Sequence, residues 1–305
     1  MQTDTSIQSR HTIVLAGAGG DLGQRIAKAL VAAGADVRAL VRPGLSTSKR
    51  SAMASVGASP VEAAYDDTAS LRQACDGAAC VVSALNGLGP VIIDAQSRLL
   101  HAAVAAGVPR FIPSDYSLDF TRTRPGDNRN MDLRRAFMQR IDAAPIRATS
   151  VLNGAFADLL TGDAPIILHR PKRVLYWGSA DQTLDFTTKE DVARYVALAA
   201  LDEGAPRFLR IAGDVVTARS LAAMMTMLSG RRFGLWRAGG IGRLSALIAI
   251  VRTLTPRSDA PFPAWQGMQY LRDMSSGRGK LTALDNDRYG VLPWTSAKDV
   301  LRRGA

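Results

Sequence analysis

The sequence predicts an α/β protein built on a doubly wound parallel sheet, with a smaller α+β lobe toward the C-terminus. Three observations carry this. Short apolar, β-branched runs alternate with amphipathic stretches through the first half, each pair taking roughly 25 to 35 residues, the length of a strand–helix crossover. Four glycines crowd the junction between the first run and the first amphipathic stretch. Beyond residue 158 the rhythm becomes irregular. With 305 residues, 47% of them apolar, the chain can bury a large core. The expected division is 10–158 for a dinucleotide-binding unit and 159–305 for a substrate lobe, with part of 174–215 free to pack on the first unit.

In order, "HTIVLAG" (11–17) reads as a strand ending in glycine. "DLGQRIAKALVAAG" (21–34) spaces Leu22, Ile26, Ala29, Leu30 and Ala33 by three and four, so it is an amphipathic helix that Gly34 stops. "ADVRALVR" (35–42) is a strand broken by Pro43-Gly44. "SKRSAMASVG" (48–57) is a weak helix and "SPVEAAY" (59–65) a strand. "DTASLRQACDG" (67–77) is a helix behind an Asp or Thr cap, and "AACVVSAL" (78–85) a strand. "PVIIDAQSRLLHAAVAAG" (90–107) reads as one long helix with Pro90 near its start. "PRFIPSDYS" (109–117) is a strand ending in polar residues, and the helix "MDLRRAFMQRIDAA" (131–144) leads to a sixth strand, "IRATSVLNG" (146–154). In the second half, "RVLYWGS" (173–179) and "RFLRIAG" (207–213) read as strands, and "KEDVARYVALAALDEG" (189–204) and "ARSLAAMMTMLSG" (218–230) as helices. "FGLWRAGGIGRLSALIAIVRTLTP" (233–256) reads as an amphipathic helix entered through a Gly-rich turn. "FPAWQGMQYLRDMSSG" (262–277) and "LDNDRYGVLPWTSAKDVLRRGA" (284–305) read as aromatic and turn-rich.

Composition argues against several classes. No apolar run approaches the ~20 residues of a membrane span; the longest, 244–251, is bracketed by Arg243 and Arg252. "MQTDTSIQSR" (1–10) has an acid and no apolar core, unlike a secretory signal, and reads as a short frayed tail. Cys75 and Cys80 are close enough in sequence to pair, but two buried thiols in a reducing, cytoplasmic setting is the simpler expectation. His11, His101 and His169 are far apart, so no metal site is expected. Of the net charge of +11, +8 falls in 231–305, where thirteen basic residues meet five acidic ones. The charges are scattered singly and no nucleic-acid-binding motif is visible, so neither nucleic acid nor membrane is an expected partner. That basic quarter serves an anionic substrate, a phosphate-bearing cofactor or solubility alone.

The glycine turn is more informative. It misses G-x-G-x-x-G, because Leu22 stands where the third glycine would be, and fits G-x-x-G-x-x-G with Gly17, Gly20 and Gly23. Gly17 allows the tight turn, Gly20 lets a pyrophosphate approach the backbone, and Gly23 lets the helix pack on the sheet. The helix N-terminus then faces the phosphates. No carboxylate ends the second strand to accept from a ribose 2′-OH. Arg42 stands there, with Lys49-Arg50 soon after, which favours the 2′-phosphate of NADP(H) over NAD(H).

The motifs "GAGGDLG", "VRALVRPG", "DDTASLRQACDGAACVVSAL", "AAVAAGVPRFIPSDYS" and "LDFTTKEDVARYVALAAL" resemble, in their order, the NmrA-like and isoflavone-reductase-like branch of the atypical short-chain dehydrogenases. The resemblance covers most of the chain. It implies a nucleotide-binding Rossmann fold with a cleft beneath a smaller lobe. It puts Ala18, Gly20, Asp21 and Leu22 at the pyrophosphate, and Arg42 and Lys49 at the 2′-phosphate. Ser83, Ala84 and Asn86 would lie near the adenosine-side ribose, Ser114 and Asp115 near the nicotinamide, and Asn153 and Phe156 after the sixth strand.

One departure stands out. Reductases of this branch carry a lysine at the start of the helix before the sixth strand, one turn ahead of an Arg-Arg pair, where it holds the nicotinamide ribose and handles a proton. Here "NRNMDLRRAF" keeps Arg134-Arg135 but offers Asn130, Met131 and Asp132 in the preceding turn. Tyr116 and Asp115 are the local candidates for the proton, and Arg134 for stabilising negative charge; Tyr116 also reads as a packing aromatic, and Asp115 as holding a ribose hydroxyl. Two functions follow. One is an NADPH-dependent reductase of a small apolar or aromatic carbonyl or quinone, with Trp236, Phe262, Trp265, Met268 and Tyr270 as the far wall of the pocket or simply the lobe's own packing. The other is an NADP(H)-sensing regulator that turns nothing over and signals to a protein partner.

Overall fold

The computed structural model describes residues 11–162, 164–255 and 260–303, without the side chains of Lys49 and Ala52. The frayed tail expected for 1–10 lies outside the described residues.

The first half forms β1 (Thr12–Ala16), α1 (Asp21–Ala32), β2 (Asp36–Val41), α2 (Thr47–Ser55), β3 (Ser59–Glu62), α3 (Thr68–Cys75), β4 (Cys80–Ser83), α4 (Gln96–Ala105), β5 (Arg110–Ile112), α5 (Arg129–Asp142) and β6 (Arg147–Ala148). The strands build one parallel sheet in the order β3-β2-β1-β4-β5-β6. From Ile13 to Ala16 β1 is apolar without a break because both its faces are covered. Ile13 and Leu15 feed a core with Ile26 and Leu30 of α1, whereas Val14 and Ala16 feed one with Leu71, Leu99 and Phe137 on the other face. The order of strands reverses between β1 and β4, which opens a crevice at their carboxyl ends.

Two expectations change in this half. The helix expected over 90–107 starts as a wide π-helical turn over Pro90–Ala95 before α4. Gln96 ties that turn down: its Nε2 donates to the Ile92 carbonyl at 3.1 Å while its Oε1 accepts from the Ser114 N–H at 2.9 Å. The sixth strand is divided. β6 extends the large sheet, and β7 (Ser150–Leu152) turns away to pair with a later strand, because Thr149 donates to Phe111 O at 3.0 Å but Ser150 donates to Arg207 O at 2.8 Å.

The chain continues through β8 (Ala155–Phe156), β9 (Ile167–Leu168), β10 (Arg173–Trp177), β11 (Leu184–Thr187), α6 (Lys189–Leu201), β12 (Phe208–Arg210), β13 (Asp214–Val216), α7 (Ala218–Ser229), β14 (Gly234–Gly239), α8 (Ile241–Leu254), α9 (Ala264–Ser275) and α10 (Ala297–Arg303). β12 pairs with β7, and α6 packs Val192, Tyr195 and Val196 into the core of α1, so this stretch returns to the large sheet. Two small sheets, β14-β10-β9 and β13-β11-β8, hold the rest. β14, α9 and α10 were not expected as regular elements. In α9 the buried residues include Gln266, Gln269, Arg272 and Asp273, so an apolar repeat has little to detect. Cys75 and Cys80 are buried free thiols, pushed up by burial to about 11 and about 12.

Candidate active site

The turn after β1 is built on approaches that glycine alone permits. Gly17 has φ +78°, and a Cβ there would stand 2.6 Å from the Ala84 carbonyl oxygen. A Cβ on Gly23 would meet the Gly17 carbonyl oxygen at 2.0 Å. Gly20 differs: its backbone is extended, the nearest atom to a Cβ lies at 3.4 Å, and the residue is exposed. Internal packing therefore holds Gly17 and Gly23 to glycine, while Gly20 leaves an open side toward solvent. Gly20 also caps α1 without a side-chain bond. The first-turn N–H groups of Asp21, Leu22 and Gly23 are those a helix leaves unpaired, and with the helix dipole they suit an anion. Ala18 is buried behind the turn.

Asp21 would place a carboxylate beside that anion position. Lys189 Nζ stands 2.8 Å from Asp21 Oδ2 and 3.5 Å from Asp158 Oδ2, and Arg25 pairs with Asp21 at 2.7 Å and with Glu190. The Lys189 and Arg25 bonds hold the Asp21 carboxyl below the usual range. Lys189 opens α6 behind Thr188, whose hydroxyl accepts from the Asp191 N–H at 3.1 Å. Sequence reasoning missed this lysine because it lies 168 residues from Asp21, and only the packing of α6 on α1 joins them. Its one local signal is the cap in "TTKED".

Arg42 is exposed at the end of β2. Among the described residues it has no hydrogen-bond or ion-pair partner; the group it acts on electrostatically is the Tyr65 phenol. Arg50, by contrast, is paired with Glu62. Lys49 lies in α2, and its side chain is outside the described ones.

Across the crevice, Leu22, Ala84 and Phe156 pack on the same apolar core as Tyr116. Asn86 is exposed. Ser114 is committed to the protein: its Oγ donates to the Leu85 carbonyl at 2.7 Å. Among the described residues, the buried polar atoms without a partner include Ser83 Oγ, Asp115 Oδ1, Arg134 Nε and both ends of the Asn153 amide, beside others away from these strand ends such as Gln266 Oε1 and Trp294 Nε1. Buried polar atoms are normally paired, so such a group calls for an explanation, a ligand among them. The Asn153 backbone is fixed by Ser117 O at 3.0 Å and by the Thr187 hydroxyl at 2.7 Å.

Asp115 is buried, and its Oδ2 accepts from Ser150 Oγ at 2.6 Å. Arg207 donates to that Ser150 oxygen at 2.7 Å and bonds Asp142 at 2.7 Å. Burial pushes the Asp115 carboxyl above the usual range, against the pull of Ser150 and the nearby Arg134 and Arg207. Tyr116 does not stand at the cleft mouth, where its position after β5 suggested a proton donor. It lies in the core with Ile13, Leu15, Cys80 and Val82, its hydroxyl unpartnered and its pKa pushed up by burial. The aromatic residues of the far lobe divide in the same way. Trp265 is buried with the guanidinium groups of Arg129 (4.6 Å) and Arg252 (5.4 Å) against its ring, and Met268 and Tyr270 join local cores, while Trp236 and Phe262 are exposed. A depression of about 540 Å³ lined by Leu198, Leu201, Asp202, Arg288 and Tyr289 lies at the far end of α6 and shares no residue with the crevice.

At the position of the absent lysine, Asn130 and Met131 are buried. Asn130 Nδ2 donates to Pro261 O at 3.0 Å, and Asn128, Gln266, Asp273 and Arg272 form a buried polar network between the start of α5 and α9. The turn that carries the family's lysine is here a tether for the C-terminal lobe.

A glycine-bent turn and an open helix N-terminus at the carboxyl ends of a parallel sheet ordered 3-2-1-4-5-6 define a dinucleotide-binding fold. Residues 9–235 match the NmrA-like family, and the chain belongs to it, a family of NAD(P)-binding oxidoreductases among the atypical short-chain dehydrogenases. It is 31% identical over 239 residues to pinoresinol reductase 1 of Arabidopsis thaliana, covering 72% of this chain and 74% of that one. Its fold matches that of AtPrR2 with NADP+ and (+)pinoresinol at a TM-score of 0.81 and 21% identity, over 97% of this chain and 99% of that one. It also matches an NADPH-dependent quinone oxidoreductase from Escherichia coli at a TM-score of 0.71 and 20% identity, over 95% and 98%.

Proposed function

We propose that this protein is an NADPH-dependent reductase of a small apolar or aromatic carbonyl- or quinone-type substrate, bound between residues 10–158 and the lobe of 159–305. The observation that carries the reading is the set of partnerless buried polar atoms on Ser83, Asp115, Arg134 and Asn153, in a fold that opens its crevice at the carboxyl ends of these strands. The similar proteins support the chemistry: one is a pinoresinol reductase and one an NADPH-dependent quinone oxidoreductase.

The residues present fit the cofactor. The open face of Gly20 and the N–H groups of Asp21 and Leu22 would take the pyrophosphate, and Arg42 the 2′-phosphate. Ser83, Ala84 and Asn86 would line the ribose, and the Asn153 amide would meet the carboxamide with Phe156 beside it. When bound, NADPH supplies the hydride. The chain's part is to position the substrate and move a proton. Asp115 is the donor in this reading. Ser150 spends its hydroxyl hydrogen on Oδ2, so the carboxyl proton belongs on Oδ1, the unpaired oxygen, and burial keeps it there to higher pH. Arg134 offers positive charge to a developing oxyanion.

The test is loss of NADPH absorbance against a panel of quinones, aromatic aldehydes and enones. Turnover of at least one is expected. Tight NADPH binding with no turnover across the panel would assign the protein instead to the second reading, an NADP(H)-sensing regulator. The tether at Asn130, in place of the lysine, is the observation that favours that alternative.

A further inference from the structure

Helix α8 is covered on one side only. Leu244 and Ile248 pack with Trp177, Met268 and Leu271, whereas Leu247, Ile250 and Leu254 are 38%, 55% and 77% exposed. Together with Arg243 they recur at intervals of four, three and four residues, one row along the helix. Trp236, 52% exposed, pairs with Leu175 across β10 and β14, and Leu175 packs in the α8 cluster, so the indole stands on the same face of that sheet. Single exposed apolar residues are ordinary, but a contiguous row of them marks an interaction surface.

The stretch that carries the row has arginine as its only charged residue type. From Val215 to Thr255 the sequence holds six arginines and no Asp, Glu or Lys. Arg231, Arg232 and Arg243 are exposed, and among the described residues their guanidinium groups have no hydrogen-bond or ion-pair partner. We propose that this face docks on an anionic lipid surface. α8 would lie in the plane of the interface, with Leu247, Ile250, Leu254 and Trp236 at the acyl boundary and the arginines against the headgroups. Charge selects this occupant. A second copy would bring the same arginine-bearing stretch, which holds no Asp or Glu, against itself, and a neutral apolar partner would strip water from the arginines without pairing them. No helix among the described residues is long and apolar enough to cross a membrane, so the contact is peripheral. The sequence alone suggested no membrane partner, because it does not show which apolar residues of α8 the fold leaves uncovered.

The experiment is co-sedimentation of the full chain with vesicles of phosphatidylcholine alone and of equal parts phosphatidylcholine and phosphatidylglycerol, without nucleotide or substrate. Binding to the phosphatidylglycerol vesicles only, weakened by added salt, is expected. Arg243→Ala should weaken it about fivefold. Ile250→Glu with Leu254→Glu should weaken it at least about tenfold at an unchanged melting temperature, since both side chains already face water. Failure to bind either vesicle, equal binding to both, or full binding by the double variant would overturn the proposal. Self-association that the double variant abolishes would give the face to a second copy instead. None of these outcomes depends on turnover.

Discussion

Arg42 is exposed at the end of β2, and among the described residues its guanidinium has no hydrogen-bond or ion-pair partner, which leaves it free to meet an anion. A charge-assisted bond of this kind contributes about 1.5–3 kcal/mol. Arg42→Ala is therefore expected to weaken NADPH binding roughly 10- to 100-fold and NADH binding little, read by titration of each; equal losses would remove the 2′-phosphate from the argument. Asp115 gives a second residue-scale prediction. Its folded pKa lies above its unfolded value of about 3.9. Its contribution to stability is thus full below that value and is lost as the pH rises through the folded pKa. Arg134, Arg207 and Ser150 oppose the shift and Asp142 adds to it, so burial is the dominant cause. Asp115→Asn removes the titration. As the pH rises above about 4, the variant should gain in melting temperature on the unaltered protein, and it should lose about 10²–10⁴ in kcat if Asp115 donates the proton. Parallel melting curves across that range would contradict the burial argument, and unchanged kcat would move the proton elsewhere.

Among the elements, the β1–α1 turn separates two uses of glycine. Gly23→Ala drives a Cβ onto a backbone oxygen, and overpacking of this kind costs about 1–3 kcal/mol. Gly20→Ala meets no such obstacle inside the protein. The expected result is a lowered melting temperature for Gly23→Ala, and for Gly20→Ala an unchanged one with weakened NADPH binding, because the added methyl faces the open side. A Gly20→Ala chain that binds NADPH as before would place the pyrophosphate off this turn. The same element shows how far a local pattern reaches. Spacing identified the strand, the helix and all three glycines, since each is a short-range steric fact. It did not identify Lys189, which neutralises Asp21 only because α6 lies on α1. Helix α9 escaped for the opposite reason: its buried face includes Gln266, Gln269, Arg272 and Asp273, which bond the start of α5 rather than fill an apolar core.

For the molecule as a whole, the parallel sheet, its crevice and the dinucleotide-binding turn were legible in the order of residues. Those follow from periodicity and from glycine, both of which act over a few residues. The sequence also shows that no lysine stands in the turn before Arg134-Arg135, where the resemblance implies one. The tertiary structure alone decided what replaces that lysine's surroundings, a buried tether between α5 and α9, and that Tyr116 belongs to the core rather than to the cleft. It decided that Asp115 is buried with one oxygen free, and that Leu247, Ile250 and Leu254 of α8 face water. Burial and partnership are relations between segments far apart in the chain. Residue type sets what a side chain can do, and the packing of distant segments settles whether it meets a partner, a ligand or solvent.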